Sequence, residues 1–298
     1  MTRRMHGVAV DAGSGLAAAI AEARGAAADP GDHLRFKEIV LTELGPEATT
    51  VLLDADCGPK LLARYPDGCA PMLAYEADVY HISGEDRITR LPDNLAVADY
   101  PRLGVRQLKF FMYYAPNDPD DLNHKKCEII ERIGRECGEA GIDFLFEPLV
   151  YDRNAAPGTA EFAAIKPGLV ERAVATFAQP RFNAAVLKVE VPVDLAFVDG
   201  FGQAERSRDE ALAAFRNLSR AAGDLPIVFL SAGVPFDWFE ASLNMANDAG
   251  CDYAGFMCGR AIWSDAVGVF GQGGADAMRA WLADTGLKRL RRLKAVAN

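Results

Sequence analysis

Eight short apolar runs recur along the 298 residues of this chain, at residues 6–11, 50–54, 71–76, 107–114, 143–149, 186–192, 226–233 and 252–260. Segments of helical character separate them: an alanine-rich stretch at 16–32, then 34–44 with Asp32 as its cap, 94–102 ending near Gly104, 120–140, 160–177, 209–222, 238–249 and 274–297. Residues 81–92 read as a loop. Parallel strands buried on both faces need a crossover between each pair, and a helix supplies it. Eight such repeats with no intervening linker predict one closed (β/α)8 barrel, the TIM-barrel class of α/β fold, over residues 1–298 as a single domain.

Composition narrows the partners. Thirty-two Lys and Arg against 42 Asp and Glu give a net charge of −10, which argues against nucleic acid. The one basic cluster, Lys288, Arg289, Arg291, Arg292 and Lys294, falls at the end of the last helix, where cations suit the macrodipole. Six cysteines, Cys57, Cys69, Cys127, Cys137, Cys251 and Cys258, contain no C-x-x-C pair, as expected of reduced thiols. No run of about 18 apolar residues and no signal-like N-terminus occurs. The expectation is a soluble cytoplasmic protein that contacts neither membrane nor nucleic acid, with homo-oligomerisation left open.

The sixth run carries the chemistry. In Val186-Leu187-Lys188-Val189-Glu190-Val191-Pro192, period-two alternation puts Leu187, Val189 and Val191 on one face and Lys188 and Glu190 on the other. A lysine facing a barrel interior costs several kcal/mol to keep charged, so it is either paired, with Glu190 the neighbouring candidate, or poised as a nucleophile. In barrels of this class the reacting groups gather at the C-terminal ends of the strands. Those ends supply Asp11, Asp54, Glu76, Lys109, Glu147, Lys188 with Glu190, Ser231-Ala232-Gly233 and Gly259-Arg260. Lys109 is inward by parity, with Leu108 and Phe110 outward. A second cation beside Lys188 favours its neutral amine, and Glu147 is suited to general acid and base work. The small-residue turns after strands seven and eight, with Arg260, predict a phosphate site.

These residues resemble the tagatose 1,6-bisphosphate aldolase family. The likeness runs through Phe182-Asn183 and Val186–Val193, through Leu73-Ala74-Tyr75-Glu76, and through Glu161-Phe162, Lys166-Pro167 and Val170. It continues in Leu230-Ser231-Ala232-Gly233-Val234 and in Cys258-Gly259-Arg260-Ala261-Ile262-Trp263. The resemblance implies a class I aldehyde-lyase of carbohydrate metabolism that cleaves a ketose 1-phosphate or 1,6-bisphosphate to dihydroxyacetone phosphate and an aldehyde, without metal or other cofactor. It implies Lys188 as the imine-forming lysine, Glu147 as the proton-transfer carboxylate, Lys109 as the second lysine and Asp11 as the acid of the first strand. Ser231, Gly233, Gly259 and Arg260 would hold the phosphate. The family follows its first-strand acid with Gln-Arg, where this chain has Ala12-Gly13.

Other readings carry their own signatures. A related sulfosugar-phosphate aldolase would use the same lysine. A phosphosugar isomerase or epimerase would use Glu147 as base and leave Lys188 idle, and a non-catalytic phosphosugar-binding regulator would need neither lysine. His6, His33, His81 and His124 have no metal-ligand spacing. Lys37, Lys60, Lys125, Lys126 and Lys166 read as solvated charges, and Trp238, Trp263 and Trp281 as packing residues.

Overall fold

A computed structural model describes residues 4–78 and 86–297; His81 and the rest of the expected 81–92 loop up to residue 85 lie outside them. The strands are β1 (Met5–Ala9), β2 (Thr50–Leu53), β3 (Ala70–Ala74), β4 (Gln107–Tyr114), β5 (Asp143–Val150), β6 (Val186–Glu190), β7 (Ile227–Leu230) and β8 (Gly255–Cys258). Each pairs in parallel with the next, and β8 pairs with β1, closing the barrel. Outside it lie α1 (Ser14–Arg24), α2 (Asp32–Leu44), the single turn α3 (Gly58–Leu61), α4 (Asp120–Ala140), α5 (Ala160–Phe177), α6 (Arg208–Ala222) and α7 (Phe236–Asp248). The chain ends in α8 (Arg260–Trp263), α9 (Asp265–Trp281) and α10 (Leu287–Val296).

Period two sorts the strand side chains into two apolar bodies. Outward residues such as Leu108, Phe110, Phe146, Leu187, Val189 and Phe229 pack under the helices in one continuous core. Inward residues Ala9, Leu52, Met72, Ala74, Leu145, Val228 and Met257 form a separate plug inside the barrel. The helices dock by matching stripes: Ile130, Ile133 and Cys137 are the buried side of α4, and Ala211, Phe215 and Leu218 that of α6. A capping box holds the start of α6, where the Ser207 hydroxyl accepts from the Glu210 N–H and the Glu210 carboxylate accepts in return from the Ser207 N–H.

Several expectations change. Residues 94–102 form only a 3₁₀ turn, Val97–Asp99, because Asp99 accepts the Ala96 N–H at 2.9 Å and Pro101 cannot donate to a continuing helix. Asp32 sits in the first turn of α2 and pairs with Arg24 at 2.6 Å, so it does not cap that helix. The last helical region starts earlier than residue 274, at Asp265, and breaks at Gly274 before a π-turn leads into α10. Its basic residues are spent on ion pairs such as Arg289 with Asp265 at 2.6 Å and Arg291 with Glu47 at 2.8 Å. Lys60 and Lys125 are exposed, but Lys37, Lys126 and Lys166 are buried. Each has found a buried or half-buried carboxylate, Asp54, Asp118 and Glu190 respectively, which is the condition for keeping an ammonium out of water. The six cysteines are free and buried.

Candidate active site

Above the apolar plug, the inward positions become charged. Lys109, two residues into β4, is opposite Ala74 and Leu145 across the ladder, and Lys188 is opposite Val228. Both ammonium groups rise past these small or aliphatic neighbours and meet at Glu147. Lys188 Nζ donates to Glu147 Oε2 at 3.0 Å, and Lys109 Nζ lies 2.9 Å from the same oxygen. Lys109 also donates to Asp11 Oδ2 at 2.9 Å and to Glu76. Lys109, Glu147, Lys188 and Glu76 are each at least 94% buried.

The two lysines are therefore unlike. Burial disfavours the Lys109 ammonium, but Asp11, Glu147 and Glu76 overcome it and hold that group well above the usual lysine range. Among the described residues Lys188 has one ion-pair partner, Glu147, and that carboxylate oxygen is already shared. Asp11 is half-buried, which by itself would raise its carboxyl, yet Lys109 and Lys188 hold it well below the usual range, so it stays ionised. Burial instead pushes the Glu76 carboxyl up to about 7 against the pull of Lys109.

A cavity of about 460 Å³ opens at this end of the barrel, and Asp11, Lys109, Glu147, Lys188, Ser231, Gly233, Gly259 and Arg260 all line it. The eight residues to which the resemblance gives roles thus converge on one space. Ala232 (φ 49°) and Gly233 (φ 81°) are both left-handed, which turns the chain sharply after β7 and lays Gly233 against the Arg260 guanidinium. A Cβ at Gly259 would come within 2.5 Å of the Ala9 carbonyl oxygen, so β8 and β1 can close here only through glycine. Trp263, which also lines the cavity, donates to that same carbonyl at 2.8 Å.

Two strand-end groups pair away from the lysines of the cluster. Asp54 turns outward to Lys37 of α2 and caps the N–H groups of Asp56 and Cys57. Glu190 does not pair with Lys188. Its carboxylate accepts the Val150 N–H at 2.8 Å and lies 3.7 Å from Lys166 Nζ, and it separates the main cavity from a side cavity of about 210 Å³ reached by Lys166, Asp194, Trp238 and Ser242. The sequence read Lys166 as a solvated charge, because nothing in a helix period marks which lysine will point at a strand 24 residues on. Phe111 and Tyr113, which line the main cavity, were legible only as continuations of the Lys109 parity.

At the first strand, Ser14 donates its N–H to Asp78 Oδ2 at 2.7 Å. A carboxylate thus faces the start of α1, close to where the family pattern places arginine. Arg153 is held at the outer wall by Asp118 at 2.7 Å and does not line the cavity. Arg87 stacks 4.2 Å over the Tyr151 ring and 5.6 Å from that of the cavity-lining Tyr113. Among the described residues, no group of three or more His, Cys, Asp or Glu side chains is arranged to hold a metal ion, and no helix is long and apolar enough to cross a membrane.

Comparison with known proteins shows the family and the fold. The chain is 42% identical over 263 residues to a tagatose 1,6-diphosphate aldolase of Staphylococcus aureus (strain MSSA476), covering 86% of this chain and 79% of that protein. Its fold superposes on a fructose-bisphosphate aldolase of Plasmodium falciparum with a TM-score of 0.73 at 15% identity, covering 98% of this chain and 89% of the other. An archaeal fructose-1,6-bisphosphate aldolase, with its catalytic lysine bound to a carbinolamine intermediate, gives a TM-score of 0.62 at 14% identity over 99% and 94% of the two chains. A sequence model of the DeoC/LacD family aldolases matches residues 6–265, and the chain belongs to that family.

Proposed function

We propose that Lys188 is the nucleophile of a class I aldol cleavage acting on a ketose 1-phosphate or ketose 1,6-bisphosphate, the substrate type in the name of the Staphylococcus aureus relative. The observation that carries this reading is the asymmetry of the lysines. Lys109 is locked as an ammonium among three carboxyl groups, whereas Lys188 faces the cavity beside a single shared one. The Lys188 amine adds to the C2 carbonyl, and Glu147 gives a proton to the carbinolamine hydroxyl so that it leaves as water. The iminium then accepts the electron pair of the C3–C4 bond while a carboxylate takes the C4 hydroxyl proton. Asp11, ionised and on the cavity wall, is suited to that task. The enamine is protonated at C3 and the imine is hydrolysed, releasing aldehyde and ketose phosphate fragments. Arg260 and the turns at Ser231, Gly233 and Gly259 hold the phosphate of the ketone half.

Lys188→Arg keeps the charge but cannot form an imine, since guanidinium does not deprotonate at usable pH. Borohydride added with dihydroxyacetone phosphate is expected to fix one adduct on Lys188 in the wild type and none in the variant. An adduct on Lys109 would reverse the assignment. An isomerase working through Glu147 alone would show no adduct at all.

The distal end of the substrate is less anion-friendly than the proximal end. Asp78 faces the start of α1, and Ala12 and Gly13 bring no cation there. A bidentate arginine contact to a second phosphate contributes about 1.5–3 kcal/mol. Without it, kcat/KM for a ketose 1,6-bisphosphate should exceed that for the 1-phosphate by less than about 100-fold. A far larger ratio that collapses in Arg87→Ala would mean that the tyrosine-stacked guanidinium serves the distal phosphate.

A further inference from the structure

We propose that Glu76 carries a proton in the working enzyme, and that as a positioning residue it keeps Lys109 and Glu147 in the charge state imine formation requires. The reasoning begins with a charge count. Three carboxyl groups, Asp11, Glu76 and Glu147, surround the Lys109 ammonium, and Lys188 is the other cation. To attack a carbonyl, Lys188 must be a neutral amine, which leaves one positive charge against three carboxyls. With all three ionised, two negative charges would stand uncompensated inside the barrel. One bound proton removes half of that excess.

Geometry selects where the proton sits. Asp11 lines the open cavity and feels both lysines. Glu147 has one oxygen against both ammonium groups. Among the described residues Glu76 meets only Lys109, through one oxygen, and its other oxygen, Oε2, is buried with no hydrogen-bond partner. An anionic oxygen without a donor is far costlier than an unpaired hydroxyl, so this is the carboxyl that gains most from neutrality. The charged groups around it divide: Lys109 from β4 attracts its anion, while Asp11 from the end of β1 and Glu147 from β5 repel it. The Tyr100 hydroxyl nearby turns away, donating to the Leu73 and Ala74 carbonyls at 3.4 and 3.2 Å. Burial accordingly pushes the carboxyl up to about 7. Glu76 does not line the cavity, so it acts through Lys109 and not on substrate. When neutral, it accepts from Lys109 without claiming its charge, which remains available to pair with Glu147.

Ionisation of Glu76 adds a negative charge beside Lys109 and favours the protonated form of Lys188, opposing attack. Glu76→Gln keeps the neutral shape and removes the ionisation. The ratio of kcat/KM at pH 8 to that at pH 6 is therefore expected to be about 3- to 10-fold higher in Glu76→Gln than in the wild type. An unchanged ratio would overturn the proposal. So would a folded Glu76→Gln that borohydride cannot trap with dihydroxyacetone phosphate at pH 6, since the anion would then be required. Carboxyl-¹³C NMR of glutamate-labelled wild type reads the same proton without catalysis. Glu76→Gln or Glu76→Asp, whichever folds, identifies the signal; titration near neutrality supports the proposal and titration in the ordinary carboxylate range refutes it. The inference rests on Lys188 as the imine-forming lysine. If wild-type trapping marks a different lysine, that reading falls, while the NMR titration still reports on Glu76.

Discussion

At Gly233 a single backbone angle shapes the cavity wall where we propose that the phosphate binds. Its φ of 81° follows Ala232 at 49°, and a left-handed alanine costs about 1–2 kcal/mol. Strain of this kind persists where the surroundings over-determine it, here in the turn that brings Ser231 and Gly233 to the cavity. A Cβ on Gly233 would lie 2.9 Å from Arg260 Cζ. Gly233→Ala should therefore displace the guanidinium and imitate Arg260→Ala. Both are expected to raise KM for dihydroxyacetone phosphate in the condensation direction by about 10-fold or more, with kcat changed much less, as for a contact made equally in ground and transition states. A variant that lost kcat at constant KM would place Arg260 on the reacting centre and not on the phosphate. The inward lysines, the shared glutamate and these two turns were all legible residue by residue, because strand parity and strand ends are local properties. What each lysine pairs with was not, and Glu190 paired away from Lys188 for reasons that lie on α5.

At the scale of elements, β4 and β5 are held together above the sheet by a charged knot. Asp118, after β4, accepts from Lys126 of α4 at 3.3 Å, from the Tyr151 hydroxyl and from Arg153 at 2.7 Å, the last two following β5. Asp118 and Lys126 are both fully buried. Removing one member of a buried pair strands the other, which typically costs about 3–5 kcal/mol. Because Arg153 and Tyr151 remain on Asp118, Lys126→Met should cost about 3 kcal/mol, seen as a lower urea midpoint at unchanged slope. A loss below about 1 kcal/mol would show that the knot is not what fastens α4 to the sheet. The helical period of residues 120–140 predicts α4 to the residue, yet it assigns Lys126 to solvent, since a period identifies a face and not its partner. The expected helix at 94–102 failed for the opposite reason: the segment is short, and Asp99 and Pro101 settled it locally.

For the molecule as a whole, the barrel concentrates charge where water is excluded, and this ties stability to pH. Burial raises the Glu76 carboxyl to about 7 from its ordinary value of 4.5. A carboxyl raised on folding contributes stability that is complete below its unfolded value and is lost as pH climbs through its folded value. The wild type should therefore lose stability relative to Glu76→Gln between about pH 4.5 and pH 7, by at most about 3 kcal/mol. Asp11 has the opposite sign: its carboxyl is lowered on folding, so its stabilisation is present above the ordinary aspartate range and disappears as pH falls through the folded value. Thermal scans of wild type and Glu76→Gln from pH 4.5 to pH 8 would reveal the first effect. A constant difference between them across that range would mean that Glu76 titrates normally.

The eightfold alternation determined the closed parallel barrel by itself, because a strand buried on both faces and a helix with one apolar stripe have few ways to cover each other. The alternation within residues 186–192 likewise placed Lys188 and Glu190 inward before any contact was known. Family membership was also written in local motifs, from Leu73-Ala74-Tyr75-Glu76 to Cys258-Gly259-Arg260. Only the tertiary structure decided how charge is shared: that Lys109 holds three carboxylates and Lys188 one, that Glu190 goes to Lys166, and that Asp54 leaves the barrel mouth for Lys37. The physical reason is range. Apolar period is a property of neighbours along the chain, whereas the cost of a buried charge depends on which distant side chains closure of the barrel brings within about 3 Å of it.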